Sequence, residues 1–117
     1  MKTFTKTAAQ GEITITRIEK LPDGLVPMKA VNGLFIVGHS ETGHHHVMTM
    51  ERATFFRDPK APAGMSVLYA ILDEPKELTH ERNFDTHESI GHQPGMYRFE
   101  SGREFDHYEA LSRKQAD

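Results

Sequence analysis

Apolar and polar positions along this chain alternate with period two more often than they recur at helical spacing. Glu12-Ile13-Thr14-Ile15-Thr16 alternates cleanly around β-branched residues, the pattern of a strand with one buried face. Lys2 to Thr7, joined to it through Ala8-Ala9-Gln10-Gly11, is expected to be its hairpin partner. Leu34 to Val37, ended by Gly38, reads as a short buried strand. His44 to Met50, Ala53 to Arg57, Ser66 to Leu72, Lys76 to His80 and Met96 to Glu100 complete the set of predicted strands. Asp58-Pro59, Ala61 to Gly64, Asp73 to Pro75, Pro94-Gly95 and Ser101-Gly102 separate them as turns, and Lys20 to Gly33, with two prolines and two glycines, is expected to be a loop. Only Glu104 to Lys114 holds a helical period, as a short C-terminal helix or a tail. Many short strands with turns between them predict an all-β fold, a small antiparallel sandwich or barrel, formed by residues 1–117 as one domain.

Composition narrows the picture. The formal net charge is −3, with no gathering of basic residues of the kind that binds nucleic acid. Asp73 to Glu88 holds six acidic residues against Lys76 and Arg82, and such a run is expected to be a solvated face. The absence of cysteine excludes disulfides and thiolate metal sites. Lys2 and Lys6 are followed by no apolar core of a signal peptide, and the longest apolar run, Val67 to Leu72, is far short of a membrane span. A soluble protein of the host cytoplasm, or of a virion, is the expectation. The aromatics Phe55, Phe56, Tyr69, Tyr97 and Phe99 fall on strand-like segments and are expected in the core rather than in a base-stacking platform. No nucleophile elbow or phosphate loop is present.

Histidine is where the sequence points to chemistry. There are eight, and six of them lie between His39 and His87. In His44-His45-His46-Val47-Met48-Thr49-Met50, strand alternation puts His44 and His46 on one face with Met48 and Met50. Two imidazoles among methionines are costly to bury without partners, and a divalent metal would satisfy both. The run Gly38, five residues, His44-x-His46, four residues, Glu51 resembles the first signature of the cupins, small β-barrels of jelly-roll type. That resemblance implies a metal held by His44, His46 and Glu51. It covers about fourteen residues; Asp58 stands where the signature has a glycine, and Pro94-Gly95-Met96-Tyr97-Arg98 lacks the histidine of the second signature. A further ligand is sought in the local echo Thr79-His80-Glu81 and Thr86-His87-Glu88, where His80 shares the strand parity of Leu78 and is preferred to His87. Three nitrogens and a carboxylate suit Zn, Fe, Mn or Ni. His39, His92 and His107 are expected to be surface residues or hydrogen-bonded core residues.

Taken over about half the chain, Gly38-His39-Ser40-Glu41-Thr42-Gly43-His44-His45-His46-Val47, then Leu78 to Glu81, then Pro94 to Phe99 and Arg103-Glu104-Phe105 resemble small uncharacterised proteins of bacteriophage and prophage genomes. This resemblance implies a viral setting. Two functions follow as expectations. The first is a non-enzymatic β-module, a virion accessory or capsid decoration protein that forms homo-oligomers and binds a capsid or other virion protein. The second is a small cupin-type metal enzyme, an isomerase or oxygenase, with His44, His46, Glu51 and His80 as ligands.

Overall fold

The computed structural model describes residues 2–3, 6–10, 12–38, 45–80 and 89–102. These residues form strands and no helix: β1 (Lys2–Thr3), β2 (Thr7–Gln10), β3 (Ile13–Ile18), β4 (Val26–Pro27), β5 (Leu34–Gly38), β6 (His46–Thr49), β7 (Ala53–Arg57), β8 (Met65–Leu72), β9 (Lys76–His80), β10 (Ile90–His92) and β11 (Gly95–Gly102). The segment Glu104 to Lys114, expected as a helix or tail, lies outside the described residues. No helix among the described residues is long and apolar enough to cross a membrane.

The strands make two sheets, one of five strands ordered β1-β10-β9-β6-β5 and one of six ordered β2-β3-β11-β8-β7-β4. The chain deals its hairpins alternately to the two. β2–β3 and β7–β8 belong to the larger sheet, β5–β6 and β9–β10 to the smaller, and β11 closes the larger sheet between β3 and β8. The pairings are antiparallel except β1 with β10. The architecture is a β-sandwich, as strand alternation predicts.

Side chains at alternate positions fill the space between the sheets. Ile13 and Ile15 are buried while Thr14 between them is exposed. Phe55, Leu68, Ala70, Leu72, Tyr97 and Phe99 join them from the larger sheet and meet Phe35, Val37, Met48, Leu78 and Ile90 from the smaller. An aromatic seam crosses the interface, with the Phe55 ring 4.6 Å from Phe35 and 5.7 Å from Phe99 between centroids. Phe55, Tyr97 and Phe99 are core residues, as expected, and Tyr69 is also buried. Phe56 is half-buried beside Tyr69 on the outer face of the larger sheet.

Three local expectations are corrected. The partner of β3 is Thr7–Gln10, not Lys2–Thr7, and Gln10 pairs with Ile13. Lys2–Thr3 goes instead to the other sheet, alongside Ile90–Gly91. The expected loop Lys20 to Gly33 contains β4, a two-residue edge strand ending in Pro27, and a tight hairpin turn. In that turn Val31 and Leu34 exchange backbone hydrogen bonds of 2.7 and 3.0 Å, and Asn32 and Gly33 between them both have positive φ, 52° and 78°. Such a turn needs residues that tolerate the left-handed region, which Asn-Gly supplies.

Candidate functional site

The described part of the histidine run enters the fold at the start of β6. His46 is only 7 % exposed and shares the core-facing side of the strand with Met48. Gly38, at the end of β5, pairs with it across a register irregularity between Ile36 and Gly38. A Cβ on Gly38 would lie 2.6 Å from Ile13 Cδ1 and 3.5 Å from His46 Cδ2. Glycine here lets β3 of the opposite sheet and the His46 ring close onto the β5 backbone. The first residue of the cupin-like run thus has a packing role of its own.

On its other side β6 pairs with β9, and the register sets His46 directly opposite His80. Two of the four predicted ligands, 34 positions apart in the chain, are therefore strand neighbours. His44, like His39, His87 and His107, lies outside the described residues. His45 is half-buried. Among the described residues, no group of three or more histidine, aspartate or glutamate side chains is placed to hold a metal ion.

Glu51 goes elsewhere. β6 ends at Thr49 and the chain turns through Met50, Glu51 and Arg52, with Ala53 N–H donating to the Met50 carbonyl at 3.3 Å and Arg52 at φ 57°. Met50, expected to continue the buried face of His46 and Met48, is 47 % exposed because the strand stops before it. The Glu51 carboxylate lies 3.8 Å from Lys76 Nζ. It belongs to the opposite end of β6 from His46, roughly 10 Å or more along the strand at ~3.3 Å per residue.

Lys76 is the functional-looking residue that composition hid. The acidic run containing it is expected to be solvated, and Asp73 and Glu77 are exposed, but Lys76 is 7 % exposed. Its ammonium donates to Thr49 Oγ1 at 2.7 Å and sits 3.7 Å from Glu74 in addition to Glu51. The lysine ties the β6–β7 turn to the β8–β9 turn; Glu51 and Glu74 stay solvated, so their ion pairs contribute little beside that hydrogen bond and the buried stem. Strand parity with Leu78 was the signal that could have placed Lys76 inward. It lines a groove of about 570 Å³ together with Leu34, Val47, Thr49 and Thr79. These residues alternate with core-facing Phe35, Met48 and Leu78, so the groove runs over the outer face of the five-stranded sheet.

Of the two roles expected for His92, surface residue or hydrogen-bonded core residue, the structure shows the second. His92 is 1 % exposed, its ring is 4.8 Å edge-on from Tyr97 and 5.7 Å from Phe99, and Nδ1 lies 3.1 Å from the Ile90 carbonyl. Burial pulls its pKa down from 6.5 to about 4, against backbone hydrogen bonds to Ile90 and Lys76 that favour the charged form. The ring is therefore neutral at pH 7, and Nδ1–H is the donor to the Ile90 carbonyl. Next to it, the Tyr97 hydroxyl donates to the Gln93 carbonyl at 2.5 Å, and Arg17 stacks 5.8 Å over the Tyr97 ring while donating to the Pro94 carbonyl at 2.8 Å. Burial raises the phenol pKa, partly offset by the Arg17 charge and that hydrogen bond. Pro94-Gly95 works as a turn, stapled at both sides. A Cβ on Gly95 would meet the Arg17 guanidinium at 2.9 Å, and its φ of 150° also favours glycine.

A family model described as Domain of unknown function (DUF8820) matches residues 9–101. No curated protein and no solved structure matches the chain. The matched span runs from β2 to the penultimate residue of β11 and takes in both sheets, the His46–His80 register and the Lys76 groove. The chain belongs to the DUF8820 family.

Proposed function

We propose that this chain is a non-enzymatic β-module that works by binding other proteins, with a divalent metal (zinc, iron, manganese or nickel) clamping the histidine end of the sandwich. The observation that carries this reading is the filled interior. Phe35, Met48, Phe55, Tyr97 and Phe99 close the space between the sheets, each 6 % exposed or less. The alternative, a cupin-type isomerase or oxygenase, needs a substrate pocket at an open coordination position. Two hollows among the described residues lie on outer faces: the groove beside Lys76, and a smaller one of about 360 Å³ by Leu21, Tyr69 and Arg98. Outer faces are where another protein reaches.

The metal proposal rests on donor chemistry and register. Directly opposed residues of an antiparallel pair have Cα atoms roughly 5 Å apart, close enough for two imidazoles to share one ion. His46 and His80 stand in that relation, and His44 is the next ligand proposed. Glu51, engaged with Lys76, is the weakest member of the predicted set. A structural ion contributes its binding energy to folding, a natural staple for a core of this modest size. The resemblance to phage proteins supplies the proposed setting, a virion accessory or capsid decoration protein acting as a homo-oligomer on a capsid lattice.

Coordination separates the two readings. Protein loaded with cobalt(II) is expected to show the intense visible bands of a four-coordinate site and no exchange of metal-bound water with solvent. Three protein ligands plus a rapidly exchanging water would overturn the binding-module reading in favour of the enzyme.

A further inference from the structure

The route of the chain from β3 to β4 follows from the sheet order. β11, β8 and β7 lie between them, and the antiparallel pairings leave β3 and β4 parallel. Ile18 ends β3 in one row with Met96, Ile71 and Thr54, whereas Val26 opens β4 opposite Arg57, three residues along from Thr54. That diagonal is roughly 22 Å at ~4.8 Å between strands and ~3.3 Å per residue. The link through residues 19–25 reaches only ~28 Å when extended, too little for a detour around the sheet. The core side is filled, so these residues cross the outer face of the larger sheet as a strap.

Tyr69 and Arg98 lie beneath the strap. Each alternates with core residues, Tyr69 with Leu68 and Ala70, Arg98 with Tyr97 and Phe99, and the register sets the two side by side. Between them and Lys20, Leu21, Pro22 and Asp23 of the strap is the hollow of about 360 Å³, within the size range of small-molecule pockets. Tyr69 is 7 % exposed, yet its hydroxyl hydrogen-bonds to no described residue. A buried phenol ordinarily has a partner. Arg98 Nε pairs with Glu100 at 2.7 Å, and no other described residue engages the guanidinium. The hollow is lined by the cations of Arg98 and Lys20 against the single carboxylate of Asp23, a positive site in a chain of net charge −3. Residues 19–25 make no backbone hydrogen bond to a described residue. Leu21 and Leu25 are half-buried, so apolar contact holds the strap down and it can lift to admit a ligand.

We infer that this hollow binds a small organic carboxylate. Its apolar body lies between Tyr69 and the Leu21–Pro22 part of the strap, and its carboxylate accepts from the Tyr69 O–H and faces Arg98 and Lys20. A charged acceptor makes the stronger hydrogen bond to the phenol and balances the two cations. An inorganic anion would use the cations and leave Leu21, Pro22 and Ile18 without contact; a neutral apolar molecule would cover those residues and leave the charges unanswered. The inference goes beyond the proposed protein-binding module and rests on neither its metal nor its partner.

Titration of the full chain with sodium benzoate and with sodium hexanoate, followed by backbone amide NMR shifts, tests this. Saturable shifts are expected at the amides of Leu21, Gly24 and Arg98 with at least one of the two. The affinity should fall about tenfold in Tyr69→Phe and in Arg98→Gln. Benzyl alcohol, which lacks the charge, and inorganic phosphate, which lacks the apolar body, should each bind about tenfold or more weakly than the carboxylate. Tyr69→Phe keeps the ring and removes only the hydroxyl, so it decides alone should Arg98→Gln fail to fold. The absence of a saturable shift with both carboxylates would overturn the inference, as would binding that Tyr69→Phe leaves unchanged. Phosphate binding as tightly as the carboxylates would mean a simple anion site and would overturn it too.

Discussion

Phe55→Ala is expected to cost about 3–5 kcal/mol, a large share of what a domain this size has. The ring is fully buried and bridges the sheets, against Phe35 of one and Phe99 of its own. Truncation removes both ring contacts and leaves a cavity that rigid strands on either side collapse into poorly. Denaturant unfolding should show the midpoint falling with little change in slope, since native and unfolded surfaces remain nearly the same. Phe56→Ala, one residue along and half-buried on the outer face, should cost much less. Equal losses at the two positions would mean that the seam is not where the sandwich is held together.

The second large effect is acid sensitivity from His92. Its folded pKa of about 4 lies below the unfolded 6.5, so between those values the unfolded chain binds the extra proton. The sign follows directly: the stability that neutral His92 contributes is fully present above pH 6.5 and is lost as pH falls towards 4. A gap of this size corresponds to about 3 kcal/mol over that window. His92→Phe keeps an aromatic ring against Tyr97 and Phe99 but has nothing to protonate. Its stability should therefore fall less steeply than wild type between pH 6.5 and 4 by about that amount, read from urea midpoints along a pH series. Parallel curves for the two proteins would show that His92 titrates normally and is not buried as described.

Much of the fold was legible because burial on one face of a strand writes itself as alternation. Ile13, Thr14 and Ile15 show it, and the bounds of β7 and β9 come directly from the residue pattern. What escaped was short or depended on partners. Ile90-Gly91-His92 is too brief, and too interrupted by glycine, to announce a strand; only pairing with Lys76 to Leu78 makes it one. The Asn32–Gly33 turn was written in the chain, but the surrounding prolines and glycines drew the segment into a loop. At the candidate site, parity with Met48 was enough to place His46 inward, whereas its pairing with His80 is set by register between distant strands and by no local spacing. The cupin resemblance put Glu51 with the histidines; ending β6 at Thr49 sends it to Lys76 instead. Charge density concealed Lys76, whose strand parity pointed inward.

The central proposal is that a metal clamps the histidine end of the sandwich, across His46 and His80. Elemental analysis of the untagged full chain, with thermal melts before and after chelation, for wild type and His46→Ala, tests it most directly. The account predicts stoichiometric metal in wild type and a melting temperature that drops on chelation, by ~5 °C for each kcal/mol the ion contributes. In His46→Ala it predicts lost metal and a melt that chelation no longer moves. Wild-type protein without metal, whose melt chelation leaves unchanged, would contradict the clamp.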